Sequence, residues 1–156
     1  MSFRDALHAL GLELPSPASP AGNYVPFTLA GNLVYVAGQV PRRDGKIAIA
    51  GKLGGGLSVA QGQEAARLCA LNALAQLDVA CGGDLARVVR CVRVTGYVNS
   101  TPEFTEHPAV VNGASDLLVQ VLGERGRHAR TAVGVAALPG NAACEVETLF
   151  EIRDAR

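Results

Sequence analysis

Between positions 58 and 80 the residues Ala66, Cys69, Ala70, Ala73, Leu74 and Leu77 recur at i, i+3, i+4, i+7 spacing. That is the period of a helix with one apolar face. Half of these six residues are alanine, so the helix can lie close against a flat partner, and a β-sheet is the partner that fits. Ser58 with Gln61 makes a capping box at its start, and Gly82-Gly83 ends it. A second apolar face, Val110, Val111, Ala114, Leu117, Leu118, Val121 and Leu122, predicts a helix over 108–122. It is opened by Pro108 and stopped by Gly123.

Strands fill the space around these helices. The segments 25–30 and 33–38 are apolar and separated by Gly31-Asn32, which predicts a β-hairpin. Residues 87–98 read as a long strand, followed after the second helix by strands at 131–137 and 143–152. The turn Leu138-Pro139-Gly140-Asn141 between the last two predicts an antiparallel hairpin. The order is ββαβαββ. A short helix at 2–10 and a Pro/Ser loop at 14–23 stand in front, and the long loop 39–56 has room for an extra hairpin at Asp44-Gly45. Residues 1–23 are thus an N-terminal extension, and 24–156 a single domain.

Two helices cover only one face of such a sheet. Yet LVYVAG (33–38) is apolar at odd and even positions, and 143–152 alternates Cys144, Val146, Thr148, Phe150 and Ile152 against Glu145, Glu147 and Glu151. The helix-free face is therefore expected to be covered by other copies of the chain, with polar groups lining clefts between them.

Composition narrows the function. The chain has 156 residues, 49% hydrophobic and 18% charged, and its 14 Lys+Arg balance its 14 Asp+Glu. A surface that holds nucleic acid by neutralising phosphates is normally basic and aromatic, and only 4% of residues here are aromatic. There is no apolar run long enough to span a membrane, and the opening residues do not read as a signal peptide. Cys69, Cys81, Cys91 and Cys144 form no CxxC pair and sit in apolar stretches, which predicts reduced, buried thiols in a cytoplasmic protein. The three histidines have no metal-ligand spacing, so no metal is expected. Neither a P-loop, a GxGxxG fingerprint nor a GxSxG elbow is present.

Four residues stand out for chemistry. Arg130 follows a polar run (GERGRHAR) at the start of a strand, where it is either a solvated arginine or a fixed carboxylate binder. The expected hairpin brings Glu145 within side-chain reach of Arg130, as an ion pair or as a general acid/base. Asn112 lies off the apolar stripe of its helix and is expected to face away from that helix's sheet contact. Tyr24 follows a proline loop, where a core ring with a wet tip is the usual role.

Together these segments resemble a known family. HARTAVGVAALPGNAACEVE (128–147), VYVAGQVP (34–41), GQEAARLCALNALAQL (62–77) and GYVNSTPEFTEHPAVVNGASDLL (96–118) are similar, in order and spacing, to the motifs of the RidA/YjgF family, formerly called endoribonuclease L-PSP. The N-terminal helix, the long 42–56 loop and GRHAR mark a RidA-like subgroup. The resemblance implies a chorismate mutase-like α+β fold (of the bacillar type) that assembles as a trimeric barrel with sites between subunits. It implies hydrolysis of reactive enamines and imines such as 2-aminoacrylate to 2-oxo acids and ammonia, with no cofactor. By position, Arg130 matches the arginine that grips the substrate carboxylate and Glu145 the acid that positions water. Asn112 matches the site asparagine, Tyr24 the N-terminal tyrosine, and Gly38 a position whose backbone lines the cleft. Ala37 and Ala132 depart from the pattern, standing where relatives often carry serine and cysteine. A non-catalytic trimer that binds small carboxylates is the alternative, and a ribonuclease is a third reading that the balanced charge disfavours.

Overall fold

A computed structural model describes residues 1–154 of the chain. The N-terminal helix is α1 (Phe3–Ala9). The sheet strands are β1 (Phe27–Ala30), β2 (Leu33–Gln39), β5 (Val88–Asn99), β6 (Ala129–Val135) and β7 (Cys144–Ile152). A small ladder is formed by β3 (Arg42–Arg43) and β4 (Lys46–Ile47), and the two long helices are α2 (Val59–Ala80) and α3 (His107–Leu122).

The start of α2 is fixed as its sequence demands. The Ser58 hydroxyl accepts from the Gln61 N–H and the Gln61 side chain accepts from the Ser58 N–H. Ser2 and Asp5 cap α1 in the same reciprocal way. The extra hairpin is present: Asp44 and Gly45 both have positive φ (53° and 77°), the backbone of a two-residue hairpin loop.

The five-stranded sheet has the order β1-β2-β7-β5-β6. All neighbours are antiparallel except β5 and β6, which run parallel. This corrects the expected hairpin of the last two strands. Parallel neighbours need a long crossover, and α3 supplies it between β5 and β6. Residues 136–143 then pass over the end of β5, so that β7 pairs on its other side. Asn99, fully buried at that end, holds the crossing. Its Nδ2 donates to Gly51 O (3.1 Å), Asn141 Oδ1 (3.0 Å) and Ala142 O (3.1 Å), and its N–H donates to Ala143 O (3.0 Å).

The core lies between α2, α3 and one face of the sheet. Val34, Val36, Val94, Val98, Val146 and Phe150 point into it, against Ala66, Leu74, Leu77, Val111 and Leu117. The double apolarity of β2 is now explained: Val34 and Val36 face the core, while Tyr35 stays 47% exposed on the open face. Val133 and Leu29 are exposed as well. At the N-terminus, α1 buries Leu7 in the core, and Arg4 Nη2 reaches both Asp78 carboxylate oxygens at 3.0 Å. The four cysteines are free and buried. Among the described residues no helix is long and apolar enough to cross a membrane.

Candidate functional site

Arg130 lies on β6, an edge strand, opposite Val94 in register and therefore on the helix side of the sheet. Its guanidinium is cradled by α3. Nη1 donates to Asn112 Oδ1 (2.7 Å) and Ser115 Oγ (3.2 Å), and Nη2 donates to Pro108 O (3.3 Å). Every acceptor is uncharged. Among the described residues the ion pairs join Arg4 to Asp78, Arg43 to Glu64, Arg90 to Glu151 and Arg127 to Glu124, and none involves Arg130. A guanidinium has five N–H donors, so the cradle leaves part of the fork unused.

The cradle depends on how α3 is seated. A Cβ at Gly113 would collide with the backbone carbonyl of Gln63, so α2 and α3 cross in near contact there. Gln63 Nε2 also donates to Ala109 O at 2.9 Å. Asn112 and Ser115, three apart, share the helix face turned to β6. The expectation that Asn112 faces away from the sheet is corrected: it is exposed but turned to the sheet edge, because β6 runs beside α3 there. Sequence reasoning does not single out Ser115; its i, i+3 spacing from Asn112 becomes a signal only once β6 lies beside α3. His128 joins the group through Ser115, with Nε2 2.9 Å from Ser115 Oγ and Nδ1 2.6 Å from Gly126 O.

Glu145 occupies a different place. It lies on β7 opposite Tyr97 of β5, and Tyr97 in turn faces Val133 of β6. Glu145 is therefore two strands from Arg130 and on the opposite face of the sheet. The expected proximity of the two within one chain is overturned, because β5 separates their strands. Glu145 is half-buried. Burial first, and then the neighbouring Glu147 carboxylate, raise its pKa above the usual carboxylate range. Tyr97 Oη donates to Glu147 at 2.8 Å rather than to Glu145.

The β2 partner of Glu145 is shaped for it. The β2–β7 register slips between Val36 and Gln39, a bulge that presents Ala37 and Gly38. A Cβ at position 38 would collide with Glu145 Oε1, so glycine is what lets the carboxyl sit there. Gly38, Glu145, Tyr24, Ala37, Gln39 and Arg42 line one cavity of about 330 Å³. Tyr24 is 55% exposed, with its Oη accepting from the Ala21 N–H at 3.3 Å. It is a cavity wall and not the core ring expected. The proposed site residues thus form two groups, Arg130 with Asn112 and Glu145 with Gly38 and Tyr24.

A mixed five-stranded sheet with two long helices on one face is the architecture of a chorismate mutase-like α+β protein. The chain belongs to the YjgF/chorismate mutase-like, putative endoribonuclease family, whose model matches residues 4–152. It is 50% identical over 149 residues to Protein TCP17 of Trypanosoma cruzi, covering 95% of this chain and 92% of that protein. A putative endoribonuclease from Shewanella oneidensis is 39% identical with a TM-score of 0.94, covering 97% of this chain and 100% of the other. RidA from the Antarctic bacterium Psychrobacter is 26% identical with a TM-score of 0.59, covering 88% and 94%.

Proposed function

We propose that the protein hydrolyses small carboxylate-bearing imines and enamines, of the 2-aminoacrylate kind, to 2-oxo acids and ammonia. The reaction takes place in clefts between the copies of a cytoplasmic homotrimer, without metal or organic cofactor. The observation that carries this reading is the uncharged cradle of Arg130. A cation held on a sheet edge by neutral acceptors, with no internal carboxylate among the described residues, is preorganised for an anion from outside.

The second group supplies the rest of the chemistry. An imine carbon is already electrophilic, so the site has to hold the carboxylate, deliver water and protonate the nitrogen. A carboxyl with a raised pKa suits that exchange. Glu145 takes a proton from the attacking water and gives one to the departing nitrogen, which leaves as ammonia. Within one chain Arg130 and Glu145 face away from each other. A ligand that touches both must therefore lie between two copies, Arg130 coming from one and Glu145, Gly38 and Tyr24 from the next. The exposed Tyr35 and Val133 on the open face support its burial by such copies.

The test generates 2-aminoacrylate in situ and traps the surviving imine with semicarbazide. The wild type should accelerate its loss, and Arg130→Ala and Glu145→Gln should each slow turnover by at least about a hundredfold. Binding of a 2-oxo acid through Arg130 with no turnover of any imine would instead make the protein a carboxylate-binding regulator. Cleavage of RNA that survives Arg130→Ala would support the name its relatives carry.

A further inference from the structure

The loop and helix behind Arg130 hold more than a cradle. His128 Nδ1 is 2.6 Å from Gly126 O. A carbonyl only accepts, so this nitrogen carries the ring proton. In the neutral ring Nε2 then has a free lone pair, 2.9 Å from Ser115 Oγ, and it accepts the serine hydroxyl proton. The hydroxyl oxygen keeps its own lone pairs, and one of them accepts from Arg130 Nη1 at 3.2 Å. Each donor finds an acceptor, and the bonds run one way, from Arg130 through Ser115 and His128 to the Gly126 carbonyl. Gly126 fits this role: a Cβ there would strike the Leu118 carbonyl, so only glycine lets the turn press against α3.

We propose that Ser115 and His128 are positioning residues which hold Arg130 in its carboxylate-binding orientation, and that they do so only while the His128 ring is neutral. This rests on reading Arg130 as the carboxylate anchor. If the ring takes a second proton, Nε2–H points at Ser115 Oγ. The hydroxyl loses its acceptor, and a second positive charge faces Arg130.

The surroundings favour the neutral ring. Burial first, and then the Arg130 charge, lower the His128 pKa below its ordinary value, while the Gly126 carbonyl pulls the other way. Arg130 is the charged group that bears on the ring from β6. In the turn before it, Arg127 and Glu124 pair with each other at 3.0 Å, and Arg125 donates to Val88 O at 3.2 Å while lying over the Phe3 ring. On α3, Asp116 is exposed.

The experiment titrates the full-length protein with 2-oxobutanoate by calorimetry. Ser115→Ala and His128→Leu should each weaken binding about tenfold, the size of one hydrogen bond to a charged group. In the imine assay the change should fall on KM rather than kcat. His128→Gln, whose amide oxygen can accept from Ser115, should recover most of the affinity. Wild-type affinity should fall as the pH drops below about 6.5, the ordinary histidine value, and His128→Gln should lose this part of the fall, keeping only what Glu145 contributes. Undiminished binding by both Ser115→Ala and His128→Leu overturns the proposal, as does a pH profile that is the same in His128→Gln and the wild type. Nitrogen NMR of the His128 ring in the ligand-free wild type decides the matter if a variant fails to fold: the Nδ1–H tautomer is expected, and the Nε2–H tautomer refutes the relay. Unchanged 2-oxobutanoate affinity in Arg130→Ala would overturn the anchor itself, a result separable from the ring's tautomer.

Discussion

The role proposed for Glu145 comes with a cost in stability. Its folded pKa lies above the ordinary value, through burial first and Glu147 second. The folded chain therefore holds this proton more tightly than the unfolded chain does. The stability that follows is fully present below the ordinary carboxylate pKa, and it is lost as pH rises through the raised one. At neutral pH the ionised group is a burden, so Glu145→Gln should melt higher than the wild type at pH 7. The difference should vanish below about pH 4. Thermal unfolding across that range checks it, and a variant less stable at pH 7 would refute it. Arg130 is legible in the sequence as a candidate because a polar run opens its strand, and Glu145 because 143–152 sets Glu145, Glu147 and Glu151 against an apolar face. Ser115 is not. A serine inside a helix looks like surface until the strand beside it is known.

At the scale of the element, caps and periodicity explain why the helices form where they do, but the approach of α3 to α2 decides whether the cradle exists. Gly113→Ala would push a methyl into the Gln63 carbonyl. The expected cost is about 2 kcal/mol, or roughly 6 °C in Tm. Binding through Arg130 should weaken in the same variant, because Asn112 and Ser115 ride on α3. An unchanged melting temperature would show that the two helices separate freely. The strand pairing shows the limit of local signals. The turn at 138–141 is real, with a 3-10 turn at Pro139–Asn141 and a positive φ at Gly140 and Asn141. A turn reverses the chain without saying which strand waits on the other side. That information lies in Asn99, whose hydrogen bonds to distant backbone have no signature in the sequence.

For the whole molecule, the opposed placement of Arg130 and Glu145 makes a sharp demand. If each site takes its arginine from one copy and its acid from another, two inactive variants can repair each other. Arg130→Ala and Glu145→Gln chains, unfolded together and refolded as mixed trimers, should recover about a quarter of wild-type turnover, the chance that a site draws both intact residues. Complete failure to recover, with mixed trimers shown by mass, would mean that the two residues do not share a site.

The thiols described as buried have a further meaning if the substrate is an electrophile. Burial pushes Cys91 up to about 12 and Cys81 to about 11, and it raises Cys69 as well. Thiolate, the form that alkylates, is scarce at all three. Position 132, two residues after Arg130, holds alanine. A catalyst that consumes a thiol-reactive compound would in this way keep its own sulfur out of the product mixture and survive many turnovers without being poisoned by what it removes.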